Sequence, residues 1–129
     1  MCIRDRASLA GVANLSDAYG KGHGNEAWTV WEAEHDDGAT VHAAVGSYRA
    51  NAFGLHEMHG NLWEWCEDLY VPYLDEGAVA VDKPGAPRVI RGGGFTAMGK
   101  RCRSAYRDGY PPGSPGEKYG VRLVYSAPF

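Results

Sequence analysis

The fold is decided by one stretch in the middle of the chain, Asn51-Ala52-Phe53-Gly54-Leu55-His56-Glu57-Met58-His59-Gly60-Asn61-Leu62-Trp63-Glu64-Trp65-Cys66. Its second half alternates. Trp63 and Trp65 fall on one side, and the other side carries Leu62, Glu64 and Cys66. Such alternation is typical of a β-strand with two different faces. We therefore predict a strand over residues 61–70.

The first half of that stretch has two histidines flanking a glutamate, so a zinc-binding motif has to be considered. A zinc-binding helix of the His-Glu-x-x-His type places its histidines four residues apart on one face. Here His56 and His59 are three apart and Gly60 follows them, so the zinc hypothesis is weak. The other histidines have no ligand-like spacing and are expected to be solvated or locally hydrogen-bonded; they are His23, His35 and His42.

Working outward, the flanking segments predict further short strands joined by long loops. Predicted strands cover residues 41–48, 88–91, 101–107 and 119–125. The first of them follows a turn at Asp36-Asp37-Gly38, and a turn rich in proline and glycine separates the last two. Residues 17–26 have three glycines in five positions and are predicted to be a mobile surface loop, and residues 71–87 form a long connection with three prolines.

Composition limits the class of protein. The chain has 129 residues, enough for one small domain, and 44% of them are hydrophobic and 12% aromatic, which is too apolar for a disordered chain. Its 18 glycines and 7 prolines interrupt the sequence too often for a long helical bundle. These numbers favour a single loop-rich domain.

Charge and hydropathy exclude two kinds of partner. The formal net charge is −3 and the basic residues form no run, so we expect no nucleic-acid partner. No run of apolar residues is long enough to predict a membrane span. The first residues have no apolar core of a signal peptide, which leaves the localisation undetermined.

Long loops require something to hold them in place. Ordering a backbone costs roughly 1–2 kcal/mol per residue, so a metal, a disulfide or aromatic packing is expected to compensate. The cysteines are Cys2, Cys66 and Cys102, an odd number without a Cys-x-x-Cys pair, which argues against a zinc ribbon or a thioredoxin-like motif. Whether Cys66 and Cys102 form a disulfide is left open.

Four motifs in one order carry a resemblance to a known family. They are the stretch quoted above, Arg88-Val89-Ile90-Arg91-Gly92-Gly93-Gly94-Phe95, Arg103-Ser104-Ala105-Tyr106-Arg107 and Gly120-Val121-Arg122-Leu123. From about Ala13 to Val124 the chain resembles the formylglycine-generating enzyme family, also called sulfatase-modifying factor domains. The resemblance implies an α+β, C-type-lectin-like fold that is loop-rich with short antiparallel strands.

The resemblance covers only the C-terminal part of the family's domain. We therefore expect an N-terminally truncated domain, with the rest of it missing upstream. The opening residues, Met1-Cys2-Ile3-Arg4-Asp5-Arg6, resemble an adapter read in frame. Residues 1–7 are accordingly expected to be a non-native or disordered tip, and residues 8–129 the domain fragment.

The family resemblance also implies structural calcium. Calcium takes six to eight oxygen ligands, a mixture of carboxylates, carbonyls and water. One implied site uses the Asn14 side chain, the Leu15 carbonyl, the Asp37 carboxylate and the Ala39 carbonyl. A second uses Glu57, the carbonyls of Gly60 and Leu62, and Glu64.

The same resemblance places the family's copper site in the segment that begins at Gly92. Aerobic members of the family hold copper(I) between two cysteine thiolates and oxidise a substrate cysteine with oxygen. In this sequence the first cysteine position is Ala97, and Gly94 and Met98 replace the family's serine and histidine. Cys102 is the one candidate catalytic residue left, and we favour a structural thiol there. We expect neither copper binding nor the parent oxidase activity.

A peptide or small-molecule ligand is the partner we expect. The candidate ligand-binding residues are Trp63, Arg103 and Tyr106, whereas most of the arginines, among them Arg91, Arg107 and Arg122, are expected to pair with acidic side chains. Two alternatives remain open. One is an iron-dependent sulfoxide synthase of the ergothioneine type, which has a similar C-terminal segment, and the other is a non-enzymatic, lectin-like binding module.

Overall fold

The computed structural model describes residues 9–24, 29–72, 77 and 81–125, and the tip predicted over residues 1–7 lies outside them. The described residues form β1 (Ala13–Asn14), α1 (Ala18–Gly22), β2 (His59–Gly60), β3 (Trp63–Leu69), β4 (Arg88–Arg91), β5 (Asp108–Tyr110) and β6 (Tyr119–Gly120). Within this part of the chain, no helix has the length and apolar character needed to cross a lipid bilayer. The fold is α+β and loop-rich, as predicted.

Strand β3 is the centre of a four-stranded sheet with the order β5-β4-β3-β6. It pairs antiparallel with β4, where Trp65 faces Ile90, and parallel with β6, where Trp63 faces Tyr119. A register irregularity interrupts the β3–β4 pairing between Trp65 and Leu69. The β3–β4 and β4–β5 pairs are antiparallel, as the resemblance implies, whereas β3–β6 and β1–β2 are parallel, so the four-stranded sheet is mixed.

The strand predictions succeeded where alternation is clear. The predicted strand over 61–70 is confirmed as β3, and the predicted strand over 88–91 is confirmed as β4. The strand predicted over 119–125 is only the two residues of β6. Beyond Gly120 the backbone has no regular structure as far as Tyr125, and Leu123 is 90% exposed.

Two strand predictions were wrong because other groups satisfy the backbone. Residues 41–48 form a loop whose amides donate to side chains: Gly46 and Tyr48 to the Glu57 carboxylate, and Ala43 to Asn61 Oδ1. Residues 101–107 follow a 3₁₀ turn at Gly99–Arg101 and continue as bends and turns. Strand β5 begins at Asp108, in the segment that the sequence predicted as the turn between the last two strands.

The predicted surface loop over 17–26 was also wrong in its described part. Residues 18–22 form helix α1, which is capped by Asp17, whose Oδ1 accepts a hydrogen bond from the Gly20 amide at 2.9 Å. Aspartate is a favoured N-cap residue because its side chain satisfies an amide that the helix leaves free. Residues 25–26 of the predicted loop lie outside the described residues.

The core is small and lies between the sheets and the 3₁₀ turn. Its buried cluster consists of Leu9, Ala13, Leu15, Trp63, Ile90, Ala97 and Cys102. Aromatic rings pack beside it, with Trp65 and Tyr110 each about 5.5 Å from Tyr119 between ring centroids. Cys66 and Cys102 are both free thiols, so no disulfide joins these two residues.

The β1–β2 pair depends on a close approach of two backbones. Gly60 lies opposite Asn14 with a φ of +80°, a conformation that favours glycine. A Cβ at this position would overlap the Asn14 carbonyl. The contact fixes Asn14 and the Glu57–Glu64 segment against each other, and both belong to the predicted calcium sites.

Candidate functional site

The structure brings the members of the first predicted calcium set together. The Asp37 carboxylate accepts hydrogen bonds from the amides of Leu15, at 2.7 Å, and Ala39, at 2.9 Å. Asn14 lies next to Leu15 in the buried strand β1 and its Nδ2 donates to the Val41 carbonyl at 2.8 Å. The Asp37 side chain is fully buried, although sequence spacing alone would place it in an exposed turn.

Two residues that the sequence analysis did not select lie beside Asp37. The ligand atoms of Asp17, His35 and Asp37 all lie within 4.8 Å of one another. Asp17 Oδ2 accepts a hydrogen bond from the Asp37 amide at 2.7 Å, and His35 Nε2 lies 4.0 Å from Asp37 Oδ2. Asp17 is 20 residues from Asp37 in the sequence, so no local spacing could have indicated the cluster.

Burial gives Asp37 an unusual titration. Removal from water raises its pKa from 3.8 to about 6, because the charged form loses its hydration. The amides of Leu15 and Ala39 oppose this change by stabilising the carboxylate, and Asp17 adds to it by repulsion. A charge held in so poorly hydrated a place favours a bound cation.

The first set has oxygen donors of the kind that calcium requires. Asn14 Oδ1 is buried and has no hydrogen-bond partner among the described residues, an arrangement that is costly unless something else contacts the oxygen. The Asp37 carboxylate and the two backbone carbonyls of this set are likewise oxygen donors, the chemical type that calcium prefers. The chemistry of these residues is therefore compatible with the ion.

The second predicted set has a different arrangement. Both oxygens of Glu64 accept hydrogen bonds from the Arg122 guanidinium at 2.5–3.0 Å, and the same guanidinium lies 3.4 Å from the Glu57 carbonyl. The Glu57 carboxylate points to the amides of Gly46 and Tyr48. In this arrangement Arg122 already supplies the positive charge beside Glu64, so the second set does not fit a calcium ion unless Arg122 moves.

The two histidines of the central stretch bind separate carbonyls. His56 Nδ1 is 2.7 Å from the Tyr48 carbonyl, and His59 Nδ1 is 2.7 Å from the Cys102 carbonyl. Among the residues that the structure describes, neither belongs to a group of three side chains able to hold a metal. Their roles are to anchor loops.

A cleft opens at Ala97, where two cavities share a wall formed by Thr96, Ala97 and Arg101. The smaller cavity measures about 60 Å³ and is further lined by Trp63, Ile90, Asp108, Tyr110, Lys118 and Tyr119. The larger one measures about 400 Å³ and is further lined by Ser16, Thr29, Val30, Met98 and Lys100. We call this pair of cavities the Ala97 cleft.

Of the predicted ligand-binding residues, the structure brings one to the cleft. Trp63 is 95% buried and lines the smaller cavity while also belonging to the core. Tyr106 packs against Trp63 with ring centroids 6.0 Å apart, and the exposed Arg103 donates to the Lys100 carbonyl. Neither of these two lines the cavities of the cleft.

Cys102 lies in the core with no exposed surface. Its Sγ lies 3.8 Å from the Met98 carbonyl, and a Cβ on Gly93 would overlap the sulfur. Burial raises the pKa of the Cys102 thiol to about 12, which keeps it protonated at neutral pH. Copper(I) requires thiolates, and the Ala97 position supplies only a methyl group, so these two residues do not fit a two-thiolate copper site.

The other arginines mostly contact carbonyl groups. Arg91 donates to the Ser104 carbonyl at 3.1 Å and Arg107 to the Val71 carbonyl, whereas Arg122 has the carboxylate partner Glu64. The expected acidic partner is found for Arg122, whereas Arg91 and Arg107 donate hydrogen bonds to backbone carbonyls within the described part of the chain.

Comparisons with known proteins agree with this architecture. The family model of the sulfatase-modifying factor enzyme 1-like domain matches residues 7–127. The formylglycine-generating enzyme of Streptomyces coelicolor is 37% identical over 99 residues, which cover 71% of this chain and 32% of that enzyme. The enzyme of Thermomonospora curvata is 30% identical over 117 residues, covering 78% of this chain and 39% of that enzyme.

Two further relatives extend the comparison. The serine/threonine-protein kinase pkn1 of Chlamydia caviae is 38% identical over 86 residues, which cover 62% of this chain and 14% of that protein. Among solved structures, Treponema denticola variable protein 1 has the same fold, with a TM-score of 0.62 and 21% sequence identity over 91% of this chain and 37% of that one.

Fold and matches together define a C-type-lectin-like α+β domain of the sulfatase-modifying type. The chain belongs to the sulfatase-modifying factor family, which includes the formylglycine-generating enzymes. It spans about a third of the length of the two curated formylglycine-generating enzymes described above.

Proposed function

We propose that this chain is a divergent member of its family, stabilised by calcium, that binds a peptide or small molecule in the Ala97 cleft and lacks the copper-dependent oxidase reaction. The observation that carries the proposal is the position of Ala97. It is 4% exposed and stands where both cavities meet, at the place the resemblance assigns to the first copper-binding cysteine. The cavity is present at this position, but alanine stands there instead of the cysteine that would supply a thiol.

The proposed calcium would lie at the first set, held by the Asn14 and Asp37 side chains and the carbonyls of Leu15 and Ala39. Calcium bound there would neutralise the buried Asp37 carboxylate and join strand β1 to the loop that follows residue 36. Ser16 lies in the same segment and lines the larger cavity, so ordering this segment also orders one wall of the cleft.

The proposed loss of oxidase activity follows from the remaining side chains. A protonated, fully buried Cys102 is a poor ligand and a poor nucleophile, because thiol chemistry needs the thiolate. Binding by the cleft requires only shape and polar contacts, which Thr96, Arg101 and the tyrosines at its rim can provide.

Binding at the cleft can be tested by blocking its mouth. Thr96 is exposed and lines both cavities, so Thr96→Trp should fill the cleft without disturbing the core. Immobilised wild-type protein should retain members of a synthetic tetrapeptide library. The immobilised Thr96→Trp variant should retain the same peptides at least about tenfold less. The exposed Ala44 lies outside both cavities, so Ala44→Trp is the matched control and should retain the same peptides. Equal retention by all three proteins would refute a role for the cleft.

The missing oxidase reaction has its own test. The full chain, loaded with calcium, is incubated with copper(I), oxygen and a cysteine-containing sulfatase peptide, and the peptide is examined by mass spectrometry. We expect the cysteine to be recovered unchanged. Appearance of the formylglycine aldehyde would show that Cys102 or another group supports the reaction and would contradict the proposal.

A further inference from the structure

The smaller cavity of the Ala97 cleft has the size of one functional group. Its volume of about 60 Å³ corresponds to roughly two water molecules at about 30 Å³ each. A carboxylate or a phosphate fills such a space, whereas a whole side chain of large volume does not. The larger cavity, which shares the wall at Thr96, Ala97 and Arg101, has room for the remainder of a ligand.

Positive charge dominates the walls of this cleft. Lys100, Arg101 and Lys118 line the two cavities, and among the described residues that line them Asp108 is the one acid. Asp108 Oδ1 accepts a hydrogen bond from the Gly109 amide at 2.9 Å. In the described part of the chain, no ion pair joins Asp108 to Arg101 or Lys118. The local excess of positive charge contrasts with the net charge of −3 of the whole chain.

Two aromatic rings hold Lys118 in position. Its ammonium lies 5.7 Å from the Tyr110 ring centroid and 5.5 Å from the Tyr119 ring centroid. Cation–π contacts of this length orient an ammonium without neutralising its charge. Both tyrosines and Thr96 line the same cavity, and a hydroxyl group is a side chain that can donate a hydrogen bond to an anion.

We propose that the smaller cavity binds an oxyanion, either a carboxylate or a phosphate, between Arg101 and Lys118. The proposal rests on the ligand-binding function proposed above and specifies the chemical class of its ligand. A planar guanidinium can bind two oxygens of such a group at once, and the Lys118 ammonium adds a point charge in the same cavity. Asp108 lines the same cavity and opposes an anion there, but the two cations outnumber this single carboxylate.

Isothermal titration of the calcium-loaded full chain with simple anions tests this proposal. Acetate represents the carboxylate, and sulfate represents a tetrahedral phosphate without precipitating calcium. Binding of one or both to the wild-type protein is expected, and Arg101→Gln and Lys118→Gln should each weaken it at least about tenfold, because charge-assisted hydrogen bonds are lost. Comparison of the two anions decides between the carboxylate and phosphate forms of the ligand.

Lys83→Gln is the matched control, because it removes one positive charge from an exposed residue that does not line the cleft. This variant should bind the anions as the wild type does, within about twofold, since exposed distant charges are screened by salt. Equal weakening in Lys83→Gln, or absence of anion binding to the wild type, overturns the proposal. If peptides are still retained in a manner sensitive to Thr96→Trp, the cleft function stands and only the oxyanion assignment falls. If they are not, both fall.

Discussion

Asp37 is a carboxylate kept from water by the segments around it, and its titration should dominate the response of the calcium-free protein to pH. Its pKa is about 6 in the folded chain against an ordinary value of 3.8. The folded state therefore holds the proton more tightly than the unfolded chain, and the free energy of unfolding decreases as pH rises through this window. The loss is on the order of 3 kcal/mol when complete.

Urea denaturation of the calcium-stripped protein at about pH 4.5 and about pH 7.5 measures this effect. Asp37→Asn should remove most of the difference, which separates Asp37 from the neighbouring Asp17 and His35. Saturating calcium should reverse the trend, because the ion binds the deprotonated carboxylate and is released as pH falls. An identical pH dependence in wild type and Asp37→Asn would rule out this account.

At the scale of single residues, Asn14 and Asp37 were predicted as calcium ligands only through the family resemblance. Spacing alone favoured a turn residue at Asp37. Asp17 and His35 could not be predicted, because they reach Asp37 through the cap of helix α1 and through a loop. Arg122 was correctly expected to pair with an acidic side chain. The sequence did not indicate that this partner would be Glu64, a predicted calcium ligand.

Among the secondary structure elements, the turn before Ala97 depends on the absence of a side chain at Gly93. Gly93 has a φ of +78°, and a Cβ there would overlap the Cys102 sulfur. Gly93→Ala should cost about 2–4 kcal/mol of unfolding free energy, from overlap and backbone strain together. Adding Cys102→Ala should recover part of this loss, with a coupling of about 1–2 kcal/mol.

Gly92→Ala is the control for the strain alone. Gly92 has a φ of +85°, but the nearest atom to an added Cβ is the Met58 carbonyl oxygen at 3.8 Å. Its substitution should cost about 1–2 kcal/mol and should show no coupling with Cys102→Ala. Urea denaturation curves of the five variants and the wild type give all these values, and equal costs at the two glycines would contradict the packing argument.

The elements were predictable where neighbouring strands satisfy the backbone. Alternation around Trp63 and Trp65 located β3, and the run of residues 88–91 located β4. Segment 41–48 has the composition of a strand, but its amides donate to the side chains of Glu57 and Asn61, which follow 9 to 18 residues later in the sequence. No pattern within the segment contains that information.

For the molecule as a whole, the small core makes calcium the expected source of stability. EDTA should lower the melting temperature by several degrees or more, since removal of a tightly bound ion costs roughly 2–4 kcal/mol. Magnesium should not replace calcium, because it is smaller and holds its water more firmly. An unchanged melting curve would contradict the calcium proposal.

Two variants assign the effect to one set of ligands. Asp37→Asn should abolish the response to EDTA, and Glu64→Gln should keep it while lowering the baseline stability through loss of the Arg122 ion pair. The opposite pattern would move the ion to the second set. The sequence could predict that loops need such a support, whereas the ion pair between Arg122 and Glu64 required the structure.

The position of β3 at the centre of the sheet has a consequence for the order of assembly. One edge of β3 pairs with residues 88–91 and the other with residues 119–120. Strand β1 pairs with β2, which follows it in the sequence only after a long segment that contains α1. Contacts this remote along the chain form late, because each must first close a long loop. During synthesis the sheet therefore cannot be completed until Tyr119 has left the ribosome, and until then Trp63 and Trp65 lack this tyrosine as a partner.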